Sequence, residues 1–394
     1  MIIRSSTRFL PRLARAREEM RRAFADALVV THLPNIQYLC GFSGSAGLIL
    51  LTDSQCVLVV DFRYAAAARS IVESHSDLAS AITVAVPPRS YDETLLELIG
   101  DAGATRIGIE AAWMSVSRFN WLSASLASRV ATPLDSTAPP RPALVATERI
   151  VERGRLIKDA QEIATIREGA RRLASIALEV PGLVREGRTE LEVGTDIDAL
   201  LRRAGFERPA FETIVASGPN SARPHARPGR RVLQAGDGVV LDFGGVYDGY
   251  CVDLSRTVQL GAERPEFRRI FDAVAQAHEA AIAAVRPGIV ASAVDAAARE
   301  VLGRHGLAEA FGHGTGHGLG LEIHEEPRVG RPVNGLPDVA LAPGMVFTIE
   351  PGAYVEGIGG VRIEDDVLVT DEGCEVLTSL EGGIPLTDSG PTGG

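Results

Sequence analysis

Apolar residues recur along this chain with two different periods, and the points where the period changes mark its elements. From about residue 10 to 24 they return every three or four positions among arginines and glutamates, which predicts an amphipathic helix. Short leucine and β-branched runs follow at 27–30, 48–51, 56–60 and 106–109, punctuated by Gly, Ser and Asp in the manner of strands and turns. Helical stretches at about 64–74 and 91–102 alternate with these strands, so the first portion reads as an α/β domain. A Pro-rich passage at 137–142 and a new charged helix at about 158–179 place a boundary near 150. The expected division is a domain over 1–150, a second over 151–385, and a frayed Gly- and Ser-rich tail over 386–394.

The second portion runs helix, helix, strands and then repeats that order. Helices are expected at 158–179 and 189–204 with strands at 210–216 and 238–260. They are expected again at 264–285 and 291–305, with strands at 320–324, 345–355 and 361–369. The repeated order predicts an internal duplication with pseudo-twofold symmetry. Two short segments support it: residues 236–244 read GDGVVLDFG and residues 344–352 read GMVFTIEPG. Each places a glycine, an apolar run, a carboxylate and another glycine in the same spacing, and a second acid follows, Asp253 in the first copy and Glu364 in the second.

Each copy reads as a hairpin that offers a pair of acids. Asp248-Gly249 is a reversal signal that would bring Asp242 and Asp253 together across two strands, with spacing that leaves room for a bulge. An unpaired carboxylate inside such an apolar strand is costly, and either a salt bridge to nearby Arg256 or a bound cation would relieve it. In the second copy Glu350 and Glu364 flank Gly357, Gly359 and Gly360, and the fold-back sets them side by side. Four converging acids repel one another strongly, and Arg362 alone does not neutralise them. Two divalent cations would.

Histidine adds a nitrogen ligand. The segment FGHGTGHGLGLEIHEEP at 311–327 sets His313, His317 and His324 among glycines, in a chain of 8 histidines. His32, His75, His278 and His305 stand alone and read as structural. Oxygen ligands with one imidazole suit manganese, cobalt or iron(II), with zinc as a further option. Bridging carboxylates imply ions about 3.5–4 Å apart, the spacing of two-metal hydrolases. GHGTGHG lacks the Lys-Ser/Thr of a phosphate-binding loop.

Composition limits the partners. With 394 residues, 45% apolar and 23% charged, the chain suits a globular protein of about two domains. A net charge of −11 argues against nonspecific binding to nucleic acid or an anionic membrane, and points to a small partner. Four scattered cysteines favour neither a disulfide framework nor a zinc ribbon, and no run is apolar enough for a signal peptide or membrane span. The expected location is cytoplasmic.

The ordered set Asp242, Asp253, His317, Glu350 and Glu364, in the contexts VLDFGG, GYCVDLSRT, GTGHGLGLEIHE, FTIEPGAY and VRIEDDV, resembles the pita-bread metallopeptidases: aminopeptidase P, prolidase and methionine aminopeptidase. The likeness runs from about Arg155 to Asp371. NIQYLCGFSGSAGLILL and DFRYAAAA in the first portion resemble the creatinase and aminopeptidase P type of N-terminal domain. The resemblance implies that Asp242 chelates one ion, Asp253 and Glu364 bridge two, and His317 and Glu350 hold the other. It makes Glu350 a proton shuttle, His225 and His324 catalytic and substrate-binding, His313 the neighbour of a prolyl pocket, and Arg362 a support for cluster or substrate. His225, in a Pro/Arg/Ser loop, would on its own read as an exposed loop histidine. The implied activity is an Xaa-Pro aminopeptidase using two ions, manganese first, acting on peptides with proline second, as a homodimer. Prolidase is the nearest alternative, and a metal-free creatinase-like amidinohydrolase is disfavoured because all five ligands are present.

Overall fold

A computed structural model describes residues 8–129, 141–335 and 337–380. Most of the Pro-rich passage and the whole tail over 386–394 lie outside the described residues. The chain divides into two compact units, Met1–Arg155 and Leu156–Gly394.

The first unit is built on a mixed sheet. Helix α1 (Phe9–Arg22) buries Phe9, Leu13, Ala16 and Met20, the stripe expected of its apolar spacing. Strands β1 (Ala27–Val30), β2 (Leu48–Thr52), β3 (Cys56–Val59), β4 (Thr83–Ala85), β5 (Arg106–Glu110) and β6 (Ala143–Thr147) lie in the order β4-β3-β2-β1-β5-β6. The β1–β2 and β2–β3 pairs are antiparallel and the rest parallel. The unit's further helices are α2 (Leu33–Cys40), α3 (Phe62–Ser74), α4 (Ser76–Ala79), α5 (Tyr91–Ala102), α6 (Val116–Arg129) and α7 (Glu152–Arg155). The apolar period does not mark α2, α6, β4 or β6. Helix α2 has only 8 residues between a proline start and the left-handed Gly41, too few for a period to register. Strand β6 follows the Pro-rich passage and is mostly uncovered, so its alternation is weak.

In the second unit α8 (Ala160–Glu179) and α9 (Glu190–Arg203) each begin at a reciprocal cap, Asp159 with Glu162 and Thr189 with Glu192. Strands β7 (Arg208–Pro209), β8 (Ile214–Ser217), β9 (Gly238–Tyr247) and β10 (Tyr250–Gln259) form one sheet in which β7, β8 and β10 pair with β9. Helices α10 (Pro265–Ala284) and α11 (Ala291–Arg304) follow, then strands β11 (Gly316–Gly318), β12 (Glu325–Val329), β13 (Val346–Ile349), β14 (Gly352–Val355), β15 (Gly359–Arg362), β16 (Asp365–Val369) and β17 (Cys374–Val376). The order helix, helix, strands therefore occurs twice. The apolar faces of α10 and α11 pack with β13, β15 and β16 in one core that includes Phe267, Val294, Phe347, Val361 and Val367.

Several expected strands are corrected. The stretch 320–324 is not a strand; the pairing bulges after His317, and the chain leaves the sheet before β12 begins. The expected strands at 345–355 and 361–369 are each broken, at Glu350–Pro351 and at Ile363–Glu364. Of 210–216 only the end pairs, as part of β8. The β9–β10 hairpin has no bulge: Asp248 and Gly249 both take positive φ, 45° and 83°, and this two-residue turn closes a ladder unbroken from Tyr247↔Tyr250 to Gly238↔Gln259.

Gly316 sits where β11 presses on the neighbouring strand, and a Cβ there would collide with the carbonyl of Thr348. Gly316→Ala is expected to destabilise the protein by about 1–3 kcal/mol through overpacking. Gly303→Ala, in α11 with open space around it, should be neutral or stabilising by up to about 1 kcal/mol. Denaturant midpoints of the two variants check this, and equal midpoints would contradict the close approach.

Candidate metal centre

The two hairpins place their acids by register. Asp242 pairs with Ser255 and Gly244 with Asp253, so Asp242 and Asp253 share one face as diagonal neighbours. In the second copy Ile349 pairs with Asp365 and Gly352 with Arg362. Both pairings belong to one register, which leaves Glu350 opposite Glu364 at the break between them. Ser255 joins the copies: its carbonyl accepts the Glu364 N–H at 3.1 Å, and its hydroxyl donates to Glu364 Oε2 at 2.7 Å.

His317 enters from β11. Its Nδ1 lies 3.0 Å from the Gly318 carbonyl, a contact that fixes the proton there and leaves Nε2 as a lone pair. That Nε2 is 3.6 Å from Glu350 Oε1 and 4.0 Å from Asp253 Oδ2. Among the described residues, Asp253, His317 and Glu364 offer ligand atoms that all lie within 4.8 Å of one another. Asp242 stands outside this tightest group. Its Oδ2 takes a 2.5 Å bond from Arg362 Nη2, while its Oδ1 is buried with no hydrogen-bond partner among the described residues. The alternative salt bridge between Asp242 and Arg256 is not formed, because Arg256 Nη2 instead donates to Asp365 Oδ1 at 2.7 Å.

All five candidate ligands line one cavity of about 510 Å³, together with His225, His313, His324 and Arg362. Arg362 is a hub: besides Asp242 it donates to Ser255 Oγ at 2.9 Å and to Tyr354 Oη at 2.7 Å. The Tyr354 hydroxyl also lies 3.0 Å from His313 Nε2. The sequence reading misses Tyr354, Ser255, Arg328 and Asp366. Tyr354 stands within the FTIEPGAY context, and Asp366 Oδ2 accepts the Asp253 N–H at 3.0 Å, yet neither differs in type from an ordinary strand residue. The lone histidines do not join the cavity's lining. His32 stacks on Trp113 at 3.6 Å, and His278 Nε2 faces Asp365 Oδ2 at 3.2 Å.

The electrostatics suit a cation. Burial raises the carboxyl pKa of Asp253 well above its ordinary value, and Glu364 and Asp242 add to the shift. Burial likewise raises Glu364, reinforced by Glu350 and Asp242. Glu350 is pushed up to about 7 by burial, with Arg362 opposing. Burial and the neighbouring His324 push His317 down to about 4, so it is a neutral donor. Crowded acids, a neutral imidazole and an orphaned carboxylate oxygen fit divalent cations better than any other occupant.

Residues 164–371 match the model of metallopeptidase family M24, and residues 12–157 that of the creatinase/prolidase N-terminal domain. The chain belongs to metallopeptidase family M24. It is 31% identical over 365 residues to the uncharacterized peptidase YqhT of Bacillus subtilis, covering 92% of this chain and 97% of that one. Among solved structures it resembles an Xaa-Pro dipeptidase from Bacillus anthracis, with TM-score 0.84 and 32% identity over 94% of this chain and 97% of that one. It also resembles an X-Pro aminopeptidase from Thermotoga maritima, with TM-score 0.79 and 32% identity over 92% and 98%. The M24 match makes this protein a metal-dependent hydrolase with the pita-bread fold and a creatinase-type N-terminal domain.

A pH signature follows for the metal-free M24 unit. Asp253, Glu350 and Glu364 have raised folded pKa values, so they hold protons in the folded state that the unfolded chain has released. Their stabilising contribution is present below the unfolded pKa and is lost as pH rises through the folded values. Below about pH 6.5 the lowered His313, His317 and His324 act in the opposite sense, so the Tm of chelator-treated protein should fall between about pH 6.5 and about pH 8, and added manganese should raise it more at the higher pH. A chelated Tm that rose over this window would contradict the charge balance.

Proposed function

We propose that this M24 peptidase hydrolyses the bond between an N-terminal residue and proline, in dipeptides foremost, with two divalent cations held by Asp242, Asp253, His317, Glu350 and Glu364. The observation that supports a metal pair is that two acids from each copy line one cavity with a neutral imidazole, Asp253 and Glu364 offering ligand atoms within 4.8 Å of it. Manganese is the first choice for this oxygen-rich set, with cobalt, iron or zinc as alternatives. Such a pair supplies a water of lowered pKa and polarises the carbonyl to be attacked.

The chain's own groups do the rest. Glu350, whose Oε1 lies 3.6 Å from His317 Nε2 on the cavity wall, is placed for proton transfer to the leaving nitrogen. His324 lies beside His317, ring centroids 4.3 Å apart. Burial and the neighbouring His225 lower its pKa, opposed by Asp242, which favours a neutral ring able to donate to a developing oxyanion. His225 stands exposed on the cavity wall, where it can meet the substrate. His313, lowered to about 4 by burial, offers a neutral ring toward a prolyl group. A dedicated site is expected for such bonds, since a prolyl amide lacks the N–H that general exopeptidases grip.

Substrate length turns on Arg328. It pairs with His317 across β11 and β12, lines the same cavity and donates from Nη1 to the Arg331 carbonyl at 2.7 Å, and among the described residues it forms no ion pair. A free prolyl carboxylate would complement it, whereas a third residue would carry that carboxylate away. This reading favours the dipeptidase over the aminopeptidase that the sequence resemblance put first.

With an Xaa-Pro dipeptide and an Xaa-Pro tripeptide compared after chelation and manganese add-back, the dipeptide should be the better substrate. Arg328→Met should lower kcat/KM about tenfold or more for the dipeptide and far less for the tripeptide. Preference for the tripeptide would restore the aminopeptidase reading, and activity that survives complete metal removal would sink both. Asp253→Asn should abolish turnover while keeping the fold, judged by circular dichroism; full turnover would contradict its proposed role as a metal ligand.

A further inference from the structure

We propose that Glu190 is a positioning residue, whose buried carboxylate draws both ends of the segment 217–229 together and so places His225 at the cavity. Glu190 is the first residue of α9 and is 0% exposed. Its Oε1 accepts from the Ser217 N–H at 2.8 Å, the Ser217 hydroxyl at 2.7 Å and Asn220 Nδ2 at 3.0 Å. Its Oε2 accepts from Asn220 Nδ2 and from the Gly229 N–H, both at 3.1 Å. Ser217 ends β8 and Gly229 lies on the far side of His225, so one carboxylate holds the loop at its entry and its exit. The start of α9 strengthens the closure: the N–H of Leu191 donates to the Gly229 carbonyl at 3.0 Å, and that of Glu190 to the Arg231 carbonyl at 3.1 Å.

Between these tethers the loop faces the site. Pro224, His225, Ala226, Arg227 and Pro228 line the cavity, and Arg362 Nη1 donates to the Pro224 carbonyl at 3.2 Å. His225 itself makes no side-chain hydrogen bond among the described residues, so its position is inherited from the backbone. Burying a carboxylate among hydrogen-bond donors is a poor way to gain stability, because apolar packing achieves as much or more. The arrangement is accounted for by geometry instead: five bonds to two oxygens define one loop conformation where apolar contact would permit several.

This rests on the proposed substrate role of His225, and the test separates the two. Glu190→Gln replaces an acceptor with a donor that faces the donors of Asn220 and Gly229. Hydrogen exchange of the intact chain should then quicken about tenfold or more across 217–231, with metal content unchanged. KM for an Xaa-Pro dipeptide should rise more than kcat falls, for about a tenfold or greater loss of kcat/KM. In a double-mutant cycle with His225→Ala, the second change should cost little beyond the first. Asn220→Ala, which removes a shared donor at a half-buried position, should repeat the pattern more weakly even if Glu190→Gln folds poorly. Unchanged exchange in both variants would overturn the clamp, and fully multiplicative effects with His225→Ala would overturn its action through that residue. Wild-type protein that cleaves no Xaa-Pro peptide would instead remove the substrate reading, with the exchange measurement still deciding the clamp.

Discussion

Four carboxylates held in one buried cavity are the constraint on which the rest of the catalytic unit depends. Each costs several kcal/mol to desolvate as an anion, and each raises the cost of its neighbours. The protein supplies one strong counter-charge at close range, the guanidinium of Arg362. It is almost wholly enclosed and hydrogen-bonded to Asp242, Ser255 and Tyr354. Burial works against its charge, but Tyr354, Asp242, Glu350 and Glu364 outweigh that and hold its pKa above the ordinary value. Among the described residues no arginine or lysine forms an ion pair with the carboxylate of Asp253 or Glu364, and Arg362 only partly offsets the raised pKa of Glu364. Their charge is left for divalent ions to balance, which makes metal binding and the integrity of the site one problem.

The backbone solves the geometric side by interrupting its own regularity. A continuous strand would send alternate side chains to opposite faces and hold them at fixed spacing. The second copy instead breaks both strands at the same level, at Glu350 and at Glu364, while keeping one register across the gap. The lost ladder bonds are replaced from outside the pair: Glu350 N–H donates to Thr315 at 2.7 Å, Glu364 N–H to Ser255 at 3.1 Å, and Arg256 Nη1 to the Glu364 carbonyl at 2.5 Å. The break is therefore satisfied rather than strained. The first copy needs no such break, because its two acids sit diagonally on an intact ladder and the glycine opposite Asp253 leaves room for close approach.

These details explain which features could be read from the chain and which could not. The duplicated glycine-to-acid spacing and the Asp248-Gly249 turn are local, so the hairpins and the four acids are visible as pattern, while the glycine-rich segment offers three histidines and the family resemblance assigns the ligand role to His317. The breaks at Glu350 and Glu364 are not visible in this way, since β-branched runs on either side read as single strands until their outside partners are known. Arg256 was the nearer cation to Asp242 in sequence, yet the fold gives Asp242 to Arg362, which comes from the other copy. Proximity along the chain fails wherever two copies interleave. The strand expected at 320–324 fails for a related reason: a glycine-rich apolar segment can serve a bulge and loop as readily as a strand.

The two kinds of site residue differ in what holds them. Metal-ligand candidates sit on paired strands of the duplicated framework, where register sets each side chain. His225 and Arg328 lie off that symmetry, one in a loop tied to α9 and the other on a strand that the first copy does not repeat in the same form. A change in the loop or in β12 can therefore alter which peptide fits without moving the acids. On the proposed function, selectivity in this unit belongs to its asymmetric additions, and the chemistry to the repeat.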